Sequence, residues 1–120
     1  MIDKNAIKRE YKQTIQPMGV YQIKNLVNGK IFIGYSSNVP ARINRHKFAI
    51  EMGIEEIKEL AAEEKQFGAE QFTFEVLDLL EPKRDSPGYD YKDDLKTLYE
   101  LWLEKLQPYG ERGYNERVQP

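Results

Sequence analysis

The dipeptide Asn28-Gly29 sits between two runs that alternate with a period of two, and this pattern constrains the chain more than any other. Val20, Gln22 and Lys24 alternate with Tyr21, Ile23 and Asn25. Such alternation is that of a strand with one face buried. Asn-Gly is the strongest short hairpin signal, because both central residues of a type I′ turn need positive φ. Lys30 to Ser36 therefore reads as the returning strand. A helix across residues 20–35 is excluded by the same pattern.

The remaining elements follow from spacing and punctuation. Asn38 caps a helix from 39 to 51 that has Pro40 in its first turn and Gly53 behind it. Ile54, Ile57, Leu60 and Ala61 recur at helical spacing, which predicts a second helix over 54–66, closed by Gly68. Phe72, Phe74 and Val76 alternate with polar neighbours, giving a third strand over 72–79 that should pair beside the hairpin. Two prolines and a glycine make 81–90 a loop, and 91–106 forms the last strong helix, stopped at Pro108. The fold class is α+β: a single small domain with an antiparallel-rich three-stranded sheet flanked by helices. The domain proper spans 18–115. Residues 1–17 are an N-terminal extension, helical over 3–14, and 116–120 are a loose tail.

Composition narrows the chemistry. The 120 residues suit one modest core, and 40% apolar with 32% charged residues is a globular balance. The absence of cysteine excludes disulfides, thiolate metal sites and cysteine catalysis. No apolar run approaches the length of a membrane span, and Met1 to Asn5 lack the features of a secretory signal, so a cytoplasmic protein with no membrane partner is expected. Net charge is −2, yet residues 1–50 balance at +7 and the remainder at −9. Such asymmetry gives either a phosphate-attracting face or two surfaces of opposite sign that attract each other.

Arg42, Arg45 and His46 lie at i, i+3 and i+4, on one side of a helix. Arginine presents a planar fork that matches phosphate oxygens, and histidine can orient a water or move a proton. Phosphodiester hydrolysis needs such groups, usually with a carboxylate-held metal. Val39, Ile43, His46 and Ile50 also form a stripe, so a histidine hydrogen-bonded at the edge of a core is the competing reading.

Gly19-Val20-Tyr21, Phe32-Ile33-Gly34, Arg42, His46 and Gly113-Tyr114-Asn115, in that order, resemble the GIY-YIG nuclease family. The resemblance implies metal-dependent DNA cleavage with magnesium or manganese, and Tyr21, Arg42, His46 and Asn115 as site residues. Lys24, Lys30, Arg42, Arg45 and Lys47 would contact nucleic acid, most naturally DNA. Two positions depart from the pattern. Phe32 replaces the tyrosine of the second motif, and Tyr99, three residues before Trp102, replaces the metal-binding glutamate. Glu100 is turned from that position by about 100° on a helix, and Glu75 is the other carboxylate that could serve. Three functions stay open: a nucleic-acid-binding domain with impaired or absent hydrolysis, an active endonuclease with a shifted site at Glu100 or Glu75, and a protein-interaction domain using Tyr89, Tyr91, Tyr109 and Tyr114.

Overall fold

A computed structural model describes residues 15–83 and 86–117. The helix expected over 3–14 lies outside them. Strand β1 spans Gly19–Asn25 and β2 spans Ile31–Ser36, paired antiparallel with Tyr21 opposite Gly34 and Ile23 opposite Phe32. Helix α1 covers Val39–Met52, α2 Lys58–Phe67, β3 Phe72–Leu79 and α3 Lys92–Leu106. β3 pairs antiparallel with β1, so the sheet order is β2-β1-β3 and the first strand lies in the middle.

The alternation that predicts the hairpin decides what each face packs against. Tyr21, Ile23 and Phe72 face Val39 of α1 and Leu60 of α2, with Tyr114 joining them. Val20 and Ile33 face Leu98, Tyr99, Trp102 and Leu103 of α3. Val20, Ile23, Ile33, Val39 and Leu60 are fully buried, each burial contributing roughly 1.5–3 kcal/mol. In β3 the register shifts so that Val20 opposes Asp78 while Tyr21 opposes Val76. Leu77 is thereby the extra residue of a β-bulge, and Asp78 accepts a hydrogen bond from Trp102 Nε1 at 3.1 Å.

Two local expectations change. The hairpin turn is not a two-residue type I′ turn: Asn25 N–H donates to the Lys30 carbonyl at 2.9 Å and Gly29 N–H to the Asn25 carbonyl at 2.8 Å, enclosing a four-residue loop. Gly29 alone has positive φ, at 77°, while the Asn25 and Asn28 side chains accept from the amides of Val27 and Lys30. Asx contacts of this kind stabilise a longer loop that needs only one left-handed residue. The second helix begins at Lys58, not at 54. Gly53, at φ 69°, caps α1, Ile54 N–H returns to the Ala49 carbonyl at 2.9 Å, and this reversal occupies the residues before Ile57.

The edge of β2 is closed by the C-terminal segment. Gly113 forms a parallel bridge with Ile31, and Tyr114 N–H donates to the Ile31 carbonyl at 2.9 Å. The Asn115 side chain accepts from Ile33 N–H at 2.9 Å and donates to the Ile33 carbonyl at 2.8 Å. One amide side chain thus takes the place of a neighbouring strand residue, which removes an exposed pairing edge. Asn115→Ala leaves both Ile33 groups without these partners and is expected to lower unfolding free energy by about 1–3 kcal/mol. Urea denaturation checks this, and an unchanged midpoint would contradict the clamp.

Candidate active site

Tyr21 points from β1 toward α1, and its ring lies across Gly34 of β2. A methyl group at Gly34 would stand 2.9 Å from Tyr21 Cε1 and closer still to the phenol carbon, so the glycine is required by the close approach of the ring. The Tyr21 hydroxyl is 2.9 Å from His46 Nε2. On the other side of the imidazole, Nδ1 is 2.8 Å from Glu55 Oε1. Phe32 packs edge-on to His46 with centroids 5.9 Å apart. Tyr21, Phe32, Arg42, Arg45, His46 and Glu55 line one groove of about 340 Å³.

Burial raises the Tyr21 hydroxyl to about 12, against the lowering effect of Arg42. At neutral pH Tyr21 is therefore a phenol. Glu55 is the group that sequence reasoning missed. A continuous helix from 54 would have made it one acid among many on a solvated face. The left-handed cap at Gly53 instead folds the chain so that Glu55, 5% exposed at its side chain, returns to His46. The only signal in the sequence was Gly53 itself.

Of the residues expected at the site, Tyr21, Arg42 and His46 come together in this groove. Asn115 does not line it. It sits at the outer edge of β2, where its Nδ2 also donates to the Tyr99 hydroxyl at 3.2 Å. Tyr99 in turn packs on Tyr35, with centroids 4.7 Å apart. Tyr35 is thus on the face opposite Phe32, as an odd separation along a strand requires.

The basic residues divide similarly. Arg42 and Arg45 line the groove, Arg45 with Glu56 at 3.5 Å. Lys30 is held by Glu59 and, at 3.2 Å, by Glu63, and its ammonium lies over the Tyr114 ring. Burial works against its charge, but these carboxylates outweigh burial and raise its pKa. Lys47 lies over Phe74 beside β3, and Lys24 alternates with Ile23 onto the α3 face. The basic side chains that line the groove with the histidine are therefore Arg42 and Arg45.

Among the described residues the carboxylates do not assemble a metal site. Glu75 pairs across the sheet with Gln22 at 3.4 Å, on the face away from Tyr21. Glu100 is exposed on α3. Among the described residues no group of three or more His, Asp or Glu side chains is gathered to hold an ion. The position nearest Asn115 carries the Tyr99 hydroxyl, which burial makes harder to ionise. A neutral phenol and an amide are poor ligands for magnesium, which prefers carboxylates and water, so these residues do not fit a divalent ion.

The central strand thus delivers a tyrosine to a histidine of α1, with an arginine one helical turn before it. The chain belongs to the GIY-YIG family: the GIY-YIG catalytic domain matches residues 17–87. Two solved structures are similar to it, each 25% identical. A mutant catalytic domain of intron endonuclease I-TevI superimposes with a TM-score of 0.66, over 83% of this chain and 93% of that one. The catalytic domain of homing endonuclease I-TevI gives 0.65, over 84% and 99%. A comparison with curated proteins returns no significant match.

Behind Glu55 lies a second acid. Glu64 of α2 is buried, its Oε2 has no hydrogen-bond partner among the described residues, and burial first, then Glu55, pushes its carboxyl from 4.5 up to about 8. Between those values the folded chain keeps a proton that the unfolded chain has lost, so the contribution of this group to stability falls as pH rises through that window. Glu64→Gln removes the titration. The variant is expected to exceed the wild type in stability above pH 8 by at least about 1 kcal/mol, with the difference shrinking toward pH 5. Denaturation midpoints measured across pH 5–9 check the slope.

Proposed function

We propose that this GIY-YIG domain binds DNA through Arg42 and Arg45 and hydrolyses it poorly or not at all. The observation that carries the reading is Tyr99, held by Asn115 at 3.2 Å and packed against Tyr35, where the family resemblance leads one to expect a metal-binding glutamate. Removal of a single electrostatic group of this kind is commonly worth about 10²–10³ in rate. Phe32 removes a second polar group, since the ring that lines the groove beside His46 has no hydroxyl.

What the chain keeps supports recognition. Among the described residues Arg42 has no carboxylate partner within salt-bridge distance, so its guanidinium is available to a phosphate. Its planar fork suits two phosphate oxygens at once. His46 and Tyr21 lie in the same groove, with the Tyr21 oxygen placed to accept from a water beside a phosphodiester. The divalent ion that such nucleases generally use would supply charge neutralisation and a water activated for attack; this chain's own residues supply the phosphate clamp and hydrogen bonds. A shifted site at Glu75 finds no support in the geometry, because that side chain pairs with Gln22 and does not line the groove.

Plasmid cleavage in magnesium or manganese tests the reading. The wild type is expected to leave DNA intact, and Phe32→Tyr with Tyr99→Glu to gain metal-dependent cleavage. Cleavage by the wild type that Glu100→Ala abolishes would overturn it. Binding is read separately: Arg42→Ala should weaken DNA affinity and reduce the dependence of log affinity on log salt by roughly one unit.

A further inference from the structure

We infer that Glu55 is a positioning residue, one that holds the His46 imidazole with its proton on Nδ1 and so makes Nε2 the acceptor of the Tyr21 hydroxyl. The inference rests on the nuclease-fold reading of the groove and goes beyond it, because it fixes the direction of each hydrogen bond there. Glu55 Oε1 lies 2.8 Å from Nδ1, and the carboxylate side chain is 5% exposed. An ionised carboxylate only accepts, so the shared proton sits on the ring nitrogen. The neutral imidazole then carries no proton on Nε2, and the 2.9 Å contact to Tyr21 must run from the phenol O–H to the ring. A neutral tyrosine can donate this bond, and burial keeps Tyr21 neutral.

The surroundings favour this polarity. The groups facing His46 and its partners are Tyr21 from β1, Arg42 and Arg45 from α1, Glu55 and Glu56 from the segment before α2, and Glu64 from α2. Arg45 is engaged with Glu56. Burial first, then Glu55, pushes the Glu64 carboxyl up to about 8, while the Glu55 carboxylate is the one that faces the imidazole. With the Tyr21 hydrogen committed to Nε2, the phenol oxygen presents only lone pairs toward the groove. It can accept from a water or an N–H group there and cannot donate to a phosphate oxygen. The arginines, with Arg42 beside the histidine, are left as the donors to phosphate. The carboxylate thus separates the two tasks, one side chain accepting and the other donating. A histidine held by a carboxylate in this way keeps one ring orientation and one tautomer.

His46 is the sole histidine in the chain, so its imidazole nitrogens can be read without assignment by long-range ¹H–¹⁵N correlation. The spectra are taken on the intact protein, with no DNA or metal, at a pH above the ring's own titration in the same series. The wild type is expected to show a protonated Nδ1 and a bare Nε2. Glu55→Ala should shift the population toward the Nε2–H form, which an unconstrained imidazole prefers. Glu55→Gln should keep the Nδ1–H form, since the amide oxygen can still accept. A wild-type ring protonated on Nε2, or a Glu55→Ala spectrum identical to the wild type, would overturn the inference. Should Glu55→Ala fail to fold, the wild-type spectrum and the isosteric Glu55→Gln decide it. In the chain carrying Phe32→Tyr and Tyr99→Glu, adding Glu55→Ala should reduce cleavage roughly ten- to a hundredfold, with Glu55→Gln closer to the parent. If that chain cuts nothing while the tautomer is as expected, the nuclease reading fails and the assignment of Glu55 to His46 stands.

Discussion

Strand β1 is the constraint on which the rest of the molecule depends. It is the middle strand, hydrogen-bonded to β2 on one side and β3 on the other, and both of its faces are covered by helices. A strand in that position has no free edge, and a one-residue slip would move every side chain to the opposite face, putting Gln22 and Lys24 where Tyr21 and Ile23 now pack. Tyr21 owes its position to this. Its neighbours Val20 and Ile23 are fully buried on opposite faces, which leaves the phenol only the direction of Gly34 and α1.

The two sides of the β2 region carry different chemistry. Toward α1 there is a connected chain of polar atoms from Tyr21 through His46 to Glu55, with Arg42 beside it. Toward α3 there is a neutral set, in which Asn115 joins the β2 backbone to the Tyr99 hydroxyl. Such an amide and phenol satisfy one another in the way a buried apolar neighbourhood demands. The same satisfaction leaves no charged oxygen to attract an ion.

Buried acids show how tertiary context alters ordinary residues. Glu63 and Glu64 are neighbours in sequence on α2, yet Glu63 reaches Lys30 while Glu64 turns inward behind Glu55. A helix rotates successive side chains by about 100°, and here that step separates an ion pair from a buried carboxyl. Lys30, expected as a phosphate contact, is taken by the first of these acids and its neighbour Glu59.

The sequence by itself determined the elements and much of their order. Period-two runs around Asn28-Gly29 and at Phe72 to Val76 are local signals of a half-buried strand, and the Asn38-Val39-Pro40 start and Gly53 stop are local signals of a helix. Arg42 and His46 follow from one helical turn, and the packing of Tyr35 away from Phe32 from strand alternation. Only the tertiary structure decided which charges meet. Glu55 joins His46 across nine residues, Asn115 joins Ile33 across 82, and Lys30 joins Glu59 across 29. Each pairing depends on how a reversal or a sheet edge brings distant segments together. Local propensity carries no record of such distances, because hydrogen bonds and ion pairs form wherever the closed chain places their atoms.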